Sequence, residues 1–244
     1  MLQLGKTKIR RNVRERTGNP AGVSDICFRK ILNIMEVSST GRKVDPVYLE
    51  KAVSYEAYKL MVDELLAQGR TTGPNQSGDF IHYTQLNMQR MHRLEKTTEV
   101  LPAVKEAIAS IRRPQTWLVL TEAWCGDAAQ SVPVIYTLAQ LNPLIDLRLL
   151  LRDENLELMD QYLTNGTSRS IPKLIGLDTA TREELFTWGP RPAALQESFM
   201  GMRSEGLPYD VIKEELQRWY NKDKTVAVQQ EMAALAARYA VKVS

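Results

Sequence analysis

Trp117-Leu-Val-Leu120 is the stretch that most limits what this chain can become. It is apolar without alternation, so as a strand it has to be covered on both faces, and strands of that kind belong inside layered α/β structures. Soon after, the chain reaches Cys125, which opens the run Cys-Gly-Asp-Ala-Ala-Gln130. The pattern predicts a strand that hands over to a helix at Cys125. Free backbone N–H groups and aligned peptide dipoles at a helix start favour negative charge, so the placement predicts a partly exposed thiol that ionises more easily than a free cysteine. The competing reading is a buried cysteine serving as a small apolar filler.

Around this junction the pattern alternates. Asp45-Pro46 signals a helix start, and Leu49, Val53, Ala57, Leu60, Met61 and Leu65 continue one amphipathic helix to Gly69. The turn-rich stretch from Gly69 to Gly78 predicts an exposed loop. A second helix from Asp79 carries Phe80, Tyr83, Asn87, Met91 and Leu94, and a third spans Glu99 to Arg112, capped by Thr98. The helix after Cys125 runs to about Leu141 with a kink at Pro133, followed by the strand Leu147 to Leu151 and a short helix from Leu156 to Leu163. Pro172 introduces the apolar run Lys173 to Leu177, which a turn at Asp178 to Arg182 joins to Leu185 to Trp188. Three helices close the chain: Ala193 to Arg203, Tyr209 to Tyr220 with Ile212, Leu216 and Trp219 inward, and Val226 to Val241. Strands separated by helical patterns argue for an α/β layer, and the final hairpin adds an antiparallel edge.

Trp124-Cys-Gly-Asp-Ala128 at a strand-to-helix junction, Pro133 eight residues after the cysteine, and Ile171-Pro172 opening a later strand together resemble the thioredoxin superfamily. Thr121-Glu-Ala-Trp-Cys-Gly-Asp-Ala128, Leu163-Thr-Asn-Gly166 and Trp188-Gly-Pro-Arg-Pro192 are similar to a bacterial branch of thioredoxin-like proteins, over about residues 45 to 225. The resemblance implies a thioredoxin-like fold, a central mixed sheet flanked by helices. An N-terminal helical pair (45–97) precedes the domain (98–220), and a C-terminal helix (221–244) extends it. It also implies a cis bond between Ile171 and Pro172, Trp124 beside a substrate groove, and substrate backbone pairing next to the thiol, so that Trp124, Gly126, Ile171 and Pro172 bind substrate.

One departure limits what can be carried over. Thioredoxins use two cysteines separated by two residues, whereas this chain reads Cys125-Gly126-Asp127-Ala128. Alanine cannot attack a mixed disulfide, so a redox cycle must recruit an outside thiol. Glutathione is a candidate co-substrate, and no cofactor or metal is expected; His82 and His92 read as ordinary surface or boundary residues. Asp127 opposes ionisation of the thiol, and either caps the helix or accepts a proton from an incoming group. Arg191, in the loop after the last strand, either lowers the thiol pKa or clamps a carboxylate; its alternative is a structural ion pair with Glu122 or Asp153. Tyr83, Asn87 and Arg90 share a helix stripe able to present a hydroxyl, an amide and a guanidinium, the alternative being a solvated face.

Charge divides the chain. Residues 1 to 34 carry eight Lys/Arg and two acids, and the other 210 residues a net of −3. The segment 1–44 reads as a basic, disordered extension, with nucleic-acid binding disfavoured by the absence of an aromatic platform, and Met35 is an alternative start. The other cysteine, Cys27, lies 98 positions from Cys125 and suggests no disulfide framework. No signal segment or membrane span is read, so the default is a cytoplasmic protein that meets protein or small thiol and disulfide partners. Two functions compete: monothiol thiol–disulfide exchange at Cys125, and a redox-inactive peptide- or protein-binding module.

Overall fold

A computed structural model describes residues 41–240. The basic arm, Cys27, Met35 and Val241 lie outside them. The helices are α1 (Pro46–Lys51), α2 (Tyr55–Ala67), α3 (Gly78–Thr97), α4 (Pro102–Ala109), α5 (Gly126–Ala139), α6 (Leu156–Met159), α7 (Ala193–Ser204), α8 (Tyr209–Asp223) and α9 (Val226–Ala240). Strands β1 (Gln115–Thr121), β2 (Ile145–Leu151), β3 (Lys173–Asp178) and β4 (Glu184–Trp188) form one sheet in the order β2-β1-β3-β4. β1 runs parallel to β2 and antiparallel to β3, which pairs antiparallel with β4, so the sheet is mixed as expected.

The unalternating apolar run has the predicted consequence. β1 is central and buried along its whole length, with Trp117, Leu118, Val119 and Leu120 fully enclosed. Trp117 meets Phe186 of β4 edge-on at 6.1 Å between ring centres. That pair depends on Gly176, because a Cβ there would sit 2.4 Å from the Phe186 ring. α5, with an apolar, largely buried sequence, packs against α3, β2 and α9.

Four expectations need correction. The first amphipathic helix is two helices, because Val53 leaves the helical path to exchange both backbone hydrogen bonds with Leu149 of β2, at 2.9 and 2.8 Å. Ser54 then restarts the helix by accepting from the Ala57 amide. The third helix begins at Pro102 and ends at Ala109, not at Glu99 and Arg112. Proline has no N–H and keeps its predecessor out of the α region, so Leu101 is extended and Pro102 takes the first turn. The 69–78 loop is not uniformly exposed. Thr71 and Thr72 are buried, and the Thr72 hydroxyl accepts from the Ala123 amide at 2.9 Å, two residues before Cys125. At the other end, Lys43 bridges Glu183 and Val44 is buried, although both were read as extension.

Candidate functional site

The site begins as backbone. β1 ends at Thr121, and Glu122 starts a tight turn in which its carbonyl accepts from the Cys125 amide at 3.1 Å. Cys125 is the N-cap of α5 with extended backbone, and its carbonyl takes the first helical bond, from Ala129. The sulfur therefore sits at a helix start, as predicted. Across from it the Ile171–Pro172 bond is cis, and the Cys125 thiol donates to the Ile171 carbonyl at 3.3 Å.

The protonation of that thiol is the main correction. Cys125 is only 8% exposed, and its pKa is pushed up to about 12, first by burial and then by the charge of Asp127. The amides of Ala128 and Asp127 and the Arg191 charge do pull it down, as the helix-start argument requires. Desolvation outweighs them. A neutral thiol donating to a carbonyl is the resting state, where the sequence suggested a partly exposed, easily ionised one.

Asp127 does not cap the helix; α5 has no side-chain cap bond. One carboxylate oxygen accepts from the Tyr220 hydroxyl at 2.7 Å, and the other accepts from Arg191 through both Nε, at 3.1 Å, and Nη2. Arg191 is thus a clamp on a carboxylate, but an internal one. Neither Glu122 nor Asp153 is its partner. Its Nη1 donates to Gln196, and its guanidinium lies 4.2 Å over the Phe199 ring. Burial works against the Arg191 charge, yet Asp127 raises its pKa overall.

The loop carrying Arg191 is held at both ends by Glu231 of α9, which accepts from the Trp188 indole at 2.6 Å and the Ala193 amide at 2.8 Å. It approaches Pro172 so closely that only glycine fits at 189. Gly189 has φ +108°, and a Cβ there would lie 2.1 Å from the Pro172 carbonyl oxygen. The following Gly189–Pro190 bond is also cis. Behind the turn, Glu122 is buried, and its pKa is pushed up to about 7 by desolvation, partly offset by hydrogen bonds from Thr72 and the Asp153 amide.

Above the sulfur is a pocket of about 290 Å³. Trp124, Cys125, Gly126, Asp127 and Arg191 line it, so five of the seven predicted site residues meet there; Ile171 and Pro172 lie behind the sulfur. α3 contributes Phe80, Tyr83, Asn87 and Arg90, which places the predicted hydroxyl, amide and guanidinium stripe at the pocket. Trp124 is half-buried between Phe80, 5.0 Å away, and the Arg152 guanidinium, 5.0 Å over its ring. The opposite wall, Tyr209, Lys213, Leu216, Gln217 and Tyr220 of α8, escaped the sequence reading except for Leu216, taken as core. Tyr83 and Lys213 join the walls, Nζ donating to the phenol at 2.9 Å. The helix itself was read from its amphipathic spacing, as Tyr209 to Tyr220, but nothing local marked the face that it turns to the pocket.

Cys125 is the free cysteine among the described residues, in which no group of three or more His, Cys, Asp or Glu could hold a metal. His82 and His92 are exposed. No helix among the described residues is long and apolar enough to cross a membrane.

Two solved structures align at the level of the chain path. One is a Pseudomonas aeruginosa protein of unknown function, 18% identical, covering 75% of this chain and 96% of its own, with a TM-score of 0.46. The other is an HIV epitope scaffold, 19% identical, covering 75% and 97%, with a TM-score of 0.46. No curated protein matches. The Thioredoxin_9 family model, described as Thioredoxin, matches residues 73–205, more than half of the chain and all of the cysteine turn, the cis-proline strand and the Arg191 loop. This chain, with its mixed sheet and with Cys125 facing a cis-proline, belongs to that thioredoxin family.

Proposed function

We propose that the protein works through Cys125 as a monothiol, exchanging with disulfides that enter the pocket and leaving the adduct to an external thiol. The step balances without a second cysteine. The Cys125 thiolate attacks one sulfur of the visiting disulfide, that S–S bond breaks as the new one forms, and the departing thiolate takes up the proton Cys125 gave away. A second small thiol, for which glutathione is the candidate, then reduces the mixed disulfide and returns Cys125 to the thiol. A reducing compartment such as the cytoplasm would supply it.

The observation that carries this reading is the position of Cys125, which lines the pocket while its Sγ lies 3.3 Å from the carbonyl of the cis Ile171–Pro172 unit, with the α5 amides favouring its anion. The resting thiol is switched off by burial and by Asp127, so exchange requires one of those two influences to be relieved. A second reading, a ligand-binding module without electron transfer, is favoured by the raised thiol pKa itself.

The test is incubation of the full-length protein with glutathione disulfide at steps between about pH 7 and pH 10, with the adduct read by mass and alkylation rate measured in parallel. A glutathionyl adduct that grows with pH, is absent in Cys125→Ser and forms faster in Asp127→Asn is expected. Asp127→Asn removes the second-largest cause of the raised pKa and frees the Arg191 charge. If neither wild type nor Asp127→Asn forms an adduct at any pH, exchange is wrong and the binding reading stands alone.

A further inference from the structure

The pocket has a property that thiol exchange does not use. Three cations, Arg90, Arg191 and Lys213, face it with one carboxylate, Asp127, in a chain whose residues 35–244 are net negative. Two of those cations are satisfied from within: Arg191 by Asp127, and Lys213 by Asp210 at 2.6 Å, which approaches from the exposed side of α8. Arg90 is not. Among the described residues no carboxylate lies within ion-pair distance of it. Its Nη1 donates to the neutral amide of Asn87 at 2.8 Å, and Asn87 is fixed in turn by donating to the Ala123 carbonyl at 2.8 Å.

A guanidinium half-buried without a counter-charge loses hydration that the one bond to Asn87 replaces only in part. The Asn87 bond holds it over the site rather than letting it swing into solvent. Nη1 lies 4.0 Å from where a Cβ on Gly126 would be, so the absence of a side chain at 126 leaves the space beneath the charge open. The remaining faces of the fork suit a planar carboxylate, which arginine binds through two parallel N–H bonds. Beside it, Phe80 and Trp124 form an aromatic wall. At about 290 Å³ the space is at the small end of ligand pockets, which run from about 300 to 1,000 Å³.

We infer that this pocket binds a small organic carboxylate, anchored by the Arg90 guanidinium, with an apolar body laid against Phe80 and Trp124. The site is separate from the sulfur in its chemistry, so it goes beyond monothiol exchange and stands whether or not Cys125 reacts. Where both hold, a disulfide bearing a carboxylate is the substrate class, with the charge anchored at α3 and the sulfur led to Cys125.

Calorimetric titration of the full-length protein tests it, with benzoate, phenylacetate, 3-phenylpropionate and S-methylglutathione as probes. Each is paired with its uncharged amide or ester, and inorganic phosphate is the control. At least one carboxylate should bind with its neutral partner weaker by about tenfold or more, the scale expected for one charge-assisted contact. Arg90→Gln should lose about as much, Arg90→Lys should fall between, and Lys105→Gln, which removes an exposed cation of α4 outside the pocket, should bind as wild type does. The thermal unfolding midpoint of each variant separates loss of site from loss of fold, and a loss of affinity with added salt in wild type provides a readout that needs no variant. Absence of binding by every carboxylate up to about 10 mM, equal binding of the neutral partners, or undiminished binding in Arg90→Gln would each overturn the inference. Equal binding of phosphate alone would overturn the carboxylate assignment. A carboxylate that binds wild type through Arg90 while neither wild type nor Asp127→Asn forms a glutathionyl adduct would retire exchange and leave this site intact.

Discussion

The floor and the roof of the pocket are built by different means. The floor is backbone: the β1–α5 turn, the cis-proline strand and the Gly189 loop, in which Cys125 donates to a carbonyl and Gly189 exists because a main-chain oxygen is in the way. The roof is side chains on two helices far apart in sequence, α3 and α8, joined by contacts such as Lys213 to Tyr83, 130 positions apart. Asp127 is the seam, rooted in the floor and tied to Arg191 and to Tyr220 of the roof. The floor alone would make an ionisable thiol. The roof encloses it, and burial is the largest reason that its pKa is raised to about 12.

If the floor is rigid in this sense, breaking it should have the largest effect. Gly189→Ala puts a methyl group 2.1 Å from the Pro172 oxygen at a φ that L residues rarely adopt. The backbone has to move on one side or the other. A loss of about 3 to 5 kcal/mol by denaturant unfolding is expected, at the high end for single changes. A loss below about 1 kcal/mol would mean that the Arg191 loop is free to shift and that the floor is no more fixed than the roof.

Glu122 tests the floor by titration. Its folded pKa of about 7 lies above its ordinary value of 4.5, so the unfolded chain gives up this proton first as pH rises. The folded state therefore binds more protons between those values, and stability falls through that window and levels off above it. At most about 3 kcal/mol is involved. Glu122→Gln keeps an oxygen for the Asp153 amide, which Glu122 binds at 2.8 Å, and should be the more stable protein at pH 8 by up to that amount. Asp223 and Glu231 also have raised pKa values, so the measurement is the difference between variant and wild type across pH, not the slope of either. Parallel curves would show Glu122 to be solvated.

The contrast also explains what could be read in advance. An apolar run without alternation announced β1, and the floor was implied by the family resemblance that Cys125, Pro133 and Ile171-Pro172 carry, since a helix start and a proline before a strand are visible in the sequence. Arg191 was singled out from its loop, yet its partner was misjudged, since Asp127, Glu122 and Asp153 are equivalent in sequence and only packing selects one. The break at Val53 was invisible for a similar reason: the apolar spacing suits one helix, and the bonds that interrupt it come from Leu149. The thiol pKa was misread because the helix-start effect is local while the burial that outweighs it is set by the packing of the whole fold, with α8, about a hundred residues away, sharing the pocket beside Cys125. Only the α3 stripe of the roof was legible, as a helical spacing of Tyr83, Asn87 and Arg90 that lacked any sign of what it faced.

The roof should respond weakly where the floor responds strongly, and Tyr83→Phe is the mild way to ask. It deletes the hydroxyl that accepts from Lys213 at 2.9 Å while keeping the ring. Lys213 loses less than it appears to, because Asp210 is the first cause of its raised pKa and Tyr83 the second, and the amine retains access to water. The expected cost is no more than about 1 kcal/mol, the scale of one partly solvated hydrogen bond. Asn87, Arg90 and the backbone around Cys125 are untouched, so the pH profile of Cys125 alkylation should overlay that of wild type. A profile shifted to lower pH would show that this one bond closes the roof, since water admitted to the sulfur lowers its pKa by reversing the desolvation that raised it. Alkylation in this variant therefore decides whether the burial of the thiol belongs to the packed body of α8 or to a single latch between α8 and α3.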